Sequence, residues 1–237
     1  MRLPPALRRP LARLRRTTCE ALGNARYSRP AQHQLDRKLE RHLDFDRGCF
    51  VEAGANDGYL LSNTYYFEKI RGWSGLLVEP VPALAVECRR NRGARVFQAA
   101  LVAAAAPGET VVLHYAGLMS TVAGAMGDAA MTADHVAKGL AVQGLAGSYE
   151  LQVPARTLTD ILDEAGLTRE IDLLSLDVEG GEPAALRGLD FGRYAPRFIC
   201  VEARARAEID ALLAARYRVA EVLAEASAYQ DVLYQRR

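Results

Sequence analysis

Short apolar runs alternate with segments of helical periodicity along most of the chain. "QLDRKLERHLDF" places leucines at 35, 39 and 43, an i/i+4 spacing that predicts an amphipathic helix. "GCFVEAG" then predicts a first strand, residues 59–70 a helix, "GLLVEP" (75–80) a second strand, and 82–92 a helix. "ARVFQAALV" (94–102) predicts a third strand. Later come a strand in "IDLLSLDVEGG" (171–181), a helix to about 189, a strand in "RFICVEA" (197–203) and a helix over 205–215. "YRVAEV" and "DVLYQ" read as a closing strand pair. Strands alternating with helices predict a mostly parallel sheet covered on both faces. There is no internal repeat.

One region breaks the rhythm. "TVVLHY" (110–115) and "SYELQVPARTL" (148–158) alternate like antiparallel strands, and between them lies a glycine-rich stretch, 116–147. It holds six glycines and three of the four methionines, Met119, Met126 and Met131. Such an insertion in a compact domain is expected to be a lid over a site or a poorly ordered connector. Its methionines offer an adaptable apolar surface, which suits a bulky or partly apolar substrate such as a glycosylated lipid or polyketide.

Composition changes this picture only at the amino-terminal end. A net charge of +1 gives no global field for nucleic acid. Residues 1–16, however, carry six arginines and no acid. Residues 1–30 are therefore expected to be a basic, flexible tail, with 31–237 forming a single domain that carries the lid-like insertion. The alternative for the tail is a short basic amphipathic helix, from about Leu7, lying on an anionic membrane or a partner. Nothing approaches the ~18 apolar residues of a membrane span. Four scattered cysteines, Cys19, Cys49, Cys88 and Cys200, form no CxxC pair, and with no secretory signal they point to a cytoplasmic protein.

Chemistry is expected at the carboxyl ends of the strands, near the topological switch point. The first predicted strand ends in Glu52-Ala53-Gly54-Ala55-Asn56-Asp57-Gly58 and the second in Glu79. The next two end in Asp177-Val178-Glu179-Gly180 and in Glu202. A phosphate site gathers glycines, backbone N–H groups and basic residues, whereas this rim gathers carboxylates. Its ligand should be cationic or rich in hydroxyls. Gly54 and Gly58 allow the backbone to approach a ligand closely, and Glu79 follows Gly54 at close to the offset of an acid that grips ribose. S-adenosylmethionine meets these demands: it has a ribose, a sulfonium and an amino-acid head, and no phosphate. Glu52 suits its positive end.

The segments "FVEAGANDGYLLSNTYYFEK", "GWSGLLVEP", "RTLTDILDEAG" and "IDLLSLDVEGGEPAALRGL" resemble, in order and spacing, the FkbM family of S-adenosylmethionine-dependent methyltransferases. The likeness runs over roughly 50–203. It implies an α/β class I methyltransferase fold, a Rossmann-like three-layer sandwich whose seven-stranded sheet is mostly parallel with an antiparallel last strand. It also implies O-methylation of a hydroxyl on a sugar, glycoconjugate or secondary metabolite. By the resemblance, Glu52, Gly54, Asn56, Asp57 and Gly58 lie on the cofactor loop, and Ser62, Asn63 and Thr64 on the signature after it. Glu79 is the ribose acid, and Asp177, Glu179 and Gly180 form a D-x-E-G motif. The family usually has Asp where this chain has Glu52.

Local readings remain beside these. Asn56 and Asp57 are ordinary turn formers, and Ser62 and Thr64 can settle backbone groups of a first helical turn. Trp73, Tyr65 and Tyr66 read as packing residues. For the reaction, Asp177 is the candidate base for the acceptor's hydroxyl, and Glu179 either shares in catalysis or orients backbone and substrate. Asp177 and Glu202 end adjacent strands and are candidates to hold a magnesium ion. Two other readings use the same sheet: a non-catalytic binding module whose basic tail docks a partner or membrane, and a nicotinamide-dependent oxidoreductase. The second lacks G-x-G-x-x-G and an evident Tyr/Lys pair.

Overall fold

A computed structural model of the protein describes residues 5–237, with side chains from residue 10 onward. Strand β1 (Cys49–Ala53) is buried at every position. It lies between β2 (Ser74–Val78) and β8 (Leu173–Leu176), parallel to both, in the register Ala53↔Val78 and Ala53↔Leu176. Outside these run β3 (Arg95–Phe97), parallel to β2, and β9 (Phe198–Ala203), parallel to β8. The carboxyl-terminal hairpin closes the sheet: β11 (Gln230–Arg236) pairs antiparallel with both β9 and β10 (Tyr217–Glu225). The order of this seven-stranded sheet is β10-β11-β9-β8-β1-β2-β3. It is the expected class I architecture, mostly parallel with an antiparallel last strand.

The period of two along each strand sorts side chains onto two faces. Val51, Leu174 and Ile199 enter one core with helices α6 (Leu158–Ala165), α7 (Glu182–Arg187) and α8 (Arg206–Leu213). Phe50, Leu173 and Cys200 enter the other, with α2 (Leu35–Glu40) and α3 (Tyr65–Lys69). Burial on both faces explains why these strands read as continuous apolar runs. Trp73 belongs to the second core, its indole N–H donating to the Phe45 carbonyl at 2.9 Å.

Several elements differ from the sequence reading. The helix expected over 59–70 shortens to α3, because Gly58 and Leu61 take positive φ and hold the segment before Tyr65 as a loop. The strand expected over 94–102 breaks after Phe97. β4 (Ala100–Leu101) leaves the main sheet and pairs with β7 (Tyr149–Arg156) in a second one, of order β4-β7-β5-β6, with β5 (Thr110–Tyr115) and β6 (Thr121–Val122). Helix α6 went unread, although Thr157 and Asp160 form a reciprocal capping box at its start.

The 116–147 stretch carries α5 (Ala129–Gln143), capped by the Asp128 carboxylate on the Met131 N–H and ended by Gly144 in the left-handed region. Within the segment read as a tail lies α1 (Pro5–Ala21), which touches the end of α4 (Pro82–Asn91) through Arg16 and Asn91 at 3.2 Å. Among the described residues no helix is long and apolar enough to cross a membrane.

Candidate active site

The chain leaves β1 toward β2 and β3 and returns on the other side of β1 as β8. The switch point therefore lies between the ends of β1 and β8. There the two strand ends nearly touch: Gly54 has φ +81°, and a Cβ on it would lie 1.7 Å from the Asp177 carbonyl oxygen. Only glycine fits that contact.

Above the strand ends opens a cavity of about 360 Å³. The parallel sheet contributes Glu52, Gly54, Asn56, Asn63 and Glu79 to its wall from one side of the switch point. Asp177, Glu179 and Glu202 contribute from the other. The second sheet and the glycine-rich stretch close it with apolar side chains, among them Leu113, Leu118, Met119 and Val142. Asp57, Gly58, Ser62 and Thr64 do not line it. They build the loop beneath. One Asp57 carboxylate oxygen accepts from the Tyr59 and Leu60 N–H groups at 2.8 and 2.7 Å, a turn-forming role.

Glu52 requires a correction. It was expected to face the positive end of a ligand, yet its carboxylate is filled by the protein. It accepts from Ser62 Oγ at 2.9 Å, the Asn63 N–H at 2.8 Å, Thr64 Oγ1 at 2.6 Å and Arg92 at 3.1 Å. Those four donors take up the lone pairs a carboxylate has. Arg92, which sequence reasoning missed, is wholly buried. It also donates to Glu68 at 2.8 Å, Ser62 Oγ at 3.0 Å and Thr64 Oγ1 at 2.7 Å. No local pattern links it to a residue forty positions earlier. Together Glu52 and Arg92 staple the 58–64 loop to the sheet.

The staple presents Asn63 to the cavity. Its amide nitrogen donates to Ser175 Oγ at 3.1 Å, and its buried Oδ1 has no partner. Asp177 Oδ1 is likewise buried and unpartnered. Glu79 accepts one backbone N–H on each oxygen, from Asn56 at 2.8 Å and Val81 at 2.9 Å. That leaves capacity on both oxygens for a pair of ligand hydroxyls. Burial pushes Glu79 up to about 7, opposed by those two N–H groups.

Acids crowd the β8–β9 side. Burial and then the Glu202 and Glu179 charges raise Asp177 well above the usual carboxylate range. Burial, then Glu179, pushes Glu202 up to about 8. Glu182, fully buried, accepts from the Val178 and Gly180 N–H groups at 2.9 and 3.2 Å and so shapes the D-x-E-G turn; burial pushes it up to about 7. In that turn Glu179 has φ +53° and Gly180 φ +94°, where a Cβ would meet Met126 Sδ at 2.5 Å. Thr121 Oγ1 donates to the Glu179 carbonyl at 2.7 Å, so the glycine-rich stretch packs directly on the motif. His135 of α5 adds Nε2 at 3.2 Å from Glu179 Oε2.

Asp177, Glu179 and Glu202 can each point an oxygen to within 4.8 Å of the others, a spacing compatible with a cation. Arg204 already supplies one. Its Nη2 lies 2.6 Å from both Glu179 and Glu202. A magnesium ion bound by Asp177 and Glu202 would meet this guanidinium, so the residues present do not fit the metal. Arg204 lies two positions past Glu202, and the sequence reading passed over it.

The donor set does fit an organic cation with vicinal hydroxyls: free acceptor oxygens on Asn63, Asp177 and Glu79, a glycine contact at the switch point, and no phosphate-type cradle. Comparison with known proteins agrees at the level of the family. A family model described as the methyltransferase FkbM domain matches residues 52–227. A search of curated proteins finds no match. Among solved structures, a TehB-like SAM-dependent methyltransferase from Corynebacterium glutamicum is similar at 11% identity and a TM-score of 0.44, covering 99% of this chain and 100% of its own. A Thermoplasma acidophilum protein is similar at 10% identity and a TM-score of 0.40, covering 94% of this chain and 96% of its own.

Proposed function

Because the chain belongs to the FkbM methyltransferase family, we propose that it transfers a methyl group from S-adenosylmethionine to a hydroxyl of a sugar, glycoconjugate or secondary metabolite. The observation that carries this reading is the placement of Glu79. It is buried at the end of β2, held by two backbone N–H groups, and turned to the cavity with capacity for two more donors. Ribose hydroxyls match that demand. Asn63 Oδ1 suits the ammonium group, part of the task first expected of Glu52.

When bound, the cofactor supplies an activated methyl group on a positively charged sulfur. The chain's own work is alignment and proton transfer. The apolar wall from Leu113, Leu118 and Met119 offers the acceptor a surface, and alignment can supply about 7–11 kcal/mol where geometry is good. Asp177 takes the acceptor's hydroxyl proton on its free Oδ1. Its raised pKa strengthens it as a base once it is ionised, and the cofactor's positive charge favours that form. Glu179 lies in the turn, its carboxylate paired with Arg204. No step passes through a metal ion.

Calorimetric titration with S-adenosylhomocysteine tests the cofactor. Micromolar binding by the wild-type protein, weakened about 100-fold in Glu79→Ala and absent for NAD, supports it; two lost charge-assisted bonds account for that factor. Binding of NAD in place of S-adenosylhomocysteine would overturn it.

A further inference from the structure

Helix α1 is built inside out. Leu11 and Leu14, three positions apart, are 44% and 63% exposed, and Leu22, just past the helix, is 80% exposed. At 3.6 residues per turn, positions 11, 14 and 22 fall on one stripe. The opposite side faces the protein through Arg16. Arg16 is 7% exposed, its guanidinium 3.6 Å over the Tyr59 ring and bonded to Asn91. Arg13 donates to the Arg90 carbonyl.

An amphipathic helix docked for stability alone would bury its leucines and expose its arginines. This one leaves Leu11 and Leu14 exposed beside Arg13 and Arg15 and buries Arg16 instead, so its apolar stripe awaits a separate covering. Flanking charge indicates what kind. Arg13 and Arg15 are exposed on α1, and α4, where α1 touches it, adds exposed Arg89 beside exposed Val86, while Arg90 pairs with Glu87. The first acid along α1 is Glu20, which accepts from Ser28 at 2.9 Å. A second copy of this chain would set arginines against arginines, and one leucine stripe falls well short of the ~1,200 Å² of a stable interface.

We propose that α1 is a docking surface for an anionic lipid membrane. The leucine stripe enters the boundary of the acyl chains, and the arginines beside it meet the headgroups. The loop beneath α1 leads to the site. Tyr59 stacks under Arg16, while its neighbours Leu60 and Leu61 line the cavity, and Leu60 is 46% exposed. Docking would thus set a cavity wall near the source of a lipid-linked acceptor.

Co-sedimentation of the full-length protein with vesicles tests this. One set is pure phosphatidylcholine, the other phosphatidylcholine with about a third phosphatidylglycerol, an anionic fraction chosen to give a strongly negative surface. The expected result is binding to the anionic set alone, weakened by raised salt. It should fall about tenfold or more in Leu11→Ser/Leu14→Ser and about fivefold in Arg15→Ala. Circular dichroism and S-adenosylhomocysteine affinity should stay unchanged in both variants, since neither stripe nor Arg15 lies in the cavity. Equal binding to both vesicle sets, no binding to either, or a dimer in light scattering that Leu11→Ser/Leu14→Ser dissociates would each overturn the proposal.

Discussion

Replacing Arg92 with methionine removes the one cation shared by Glu52 and Glu68 while keeping an unbranched apolar side chain. Arg92 contacts the two carboxylates at 3.1 and 2.8 Å, and its side chain has no exposed surface. Breaking such a buried pair costs about 3–5 kcal/mol, chiefly because a charge is left without a partner. Arg92→Met should therefore lower the unfolding free energy at pH 7 by that amount, read as a lower urea midpoint with the m-value unchanged. The double variant Arg92→Met/Glu52→Gln should recover about 1–2 kcal/mol of the loss, because the stranded charge at Glu52 is gone. Cofactor affinity should respond separately. With the Arg92 bonds to Ser62 and Thr64 gone, Glu52 alone holds the loop, Asn63 is held less firmly toward the cavity, and S-adenosylhomocysteine should bind about tenfold more weakly to whatever fraction is folded. A loss under about 1 kcal/mol would refute the reasoning. So would a double variant no more stable than the single one.

Gly54→Ala should be worse than an ordinary turn mutation. The new Cβ forces apart β1 and the Asp177 carbonyl, so a large fall in Tm with loss of S-adenosylhomocysteine binding is expected in thermal scans. The pH dependence of stability has a definite sign. Glu182 and Glu202 are raised to about 7 and about 8 in the folded state, so folding favours their protonated forms. That stability is complete below their ordinary values and is lost as pH rises through 7 and 8. Urea midpoints should fall from pH 5.5 to 8.5, and Glu182→Gln should flatten the fall, since ionising Glu182 costs about 3 kcal/mol. Arg204 makes a prediction about metals: chelator should leave methyl transfer by the wild-type protein unchanged. Arg204→Met, with Glu179 and Glu202 left uncompensated, should acquire magnesium binding measurable by calorimetry.

The main sheet was legible because strands buried on both faces must read as apolar runs, and the strand-end acids stood out at their ends. Glu79 and Asp177 could be placed on the cavity from the chain alone, because strand direction fixes where a carboxyl end points. What escaped was set by which cation each carboxylate meets in the folded chain, whether forty positions away, as Arg92 is from Glu52, or two, as Arg204 is from Glu202. Glu52 looked like a ligand contact until Arg92 arrived from the end of α4. Asp177 and Glu202 looked like metal ligands until Arg204 arrived between Glu179 and Glu202. A carboxylate's role depends on which cation reaches it first, and spacing along the chain does not encode that. The break after Phe97 was hidden for a different reason: both halves of 94–102 are strand-like, and only tertiary pairing assigns them to different sheets.

That break shapes what the protein can become. Because the chain crosses from one sheet to the other between Phe97 and Ala100, the cavity has two walls with separate foundations. The wall holding Glu79 and Asn63 rests on β1, β2 and the Arg92 staple. The wall of Leu113, Leu118 and Val142 hangs from β5 and α5 and meets the first at the Glu179–Gly180 turn and where Leu113 packs on Val81. Insertions or residue changes in the hanging wall can resize the acceptor chamber while the grip on the methyl donor stays as it is. Such a scaffold can be refitted for a new acceptor without first relearning its cofactor.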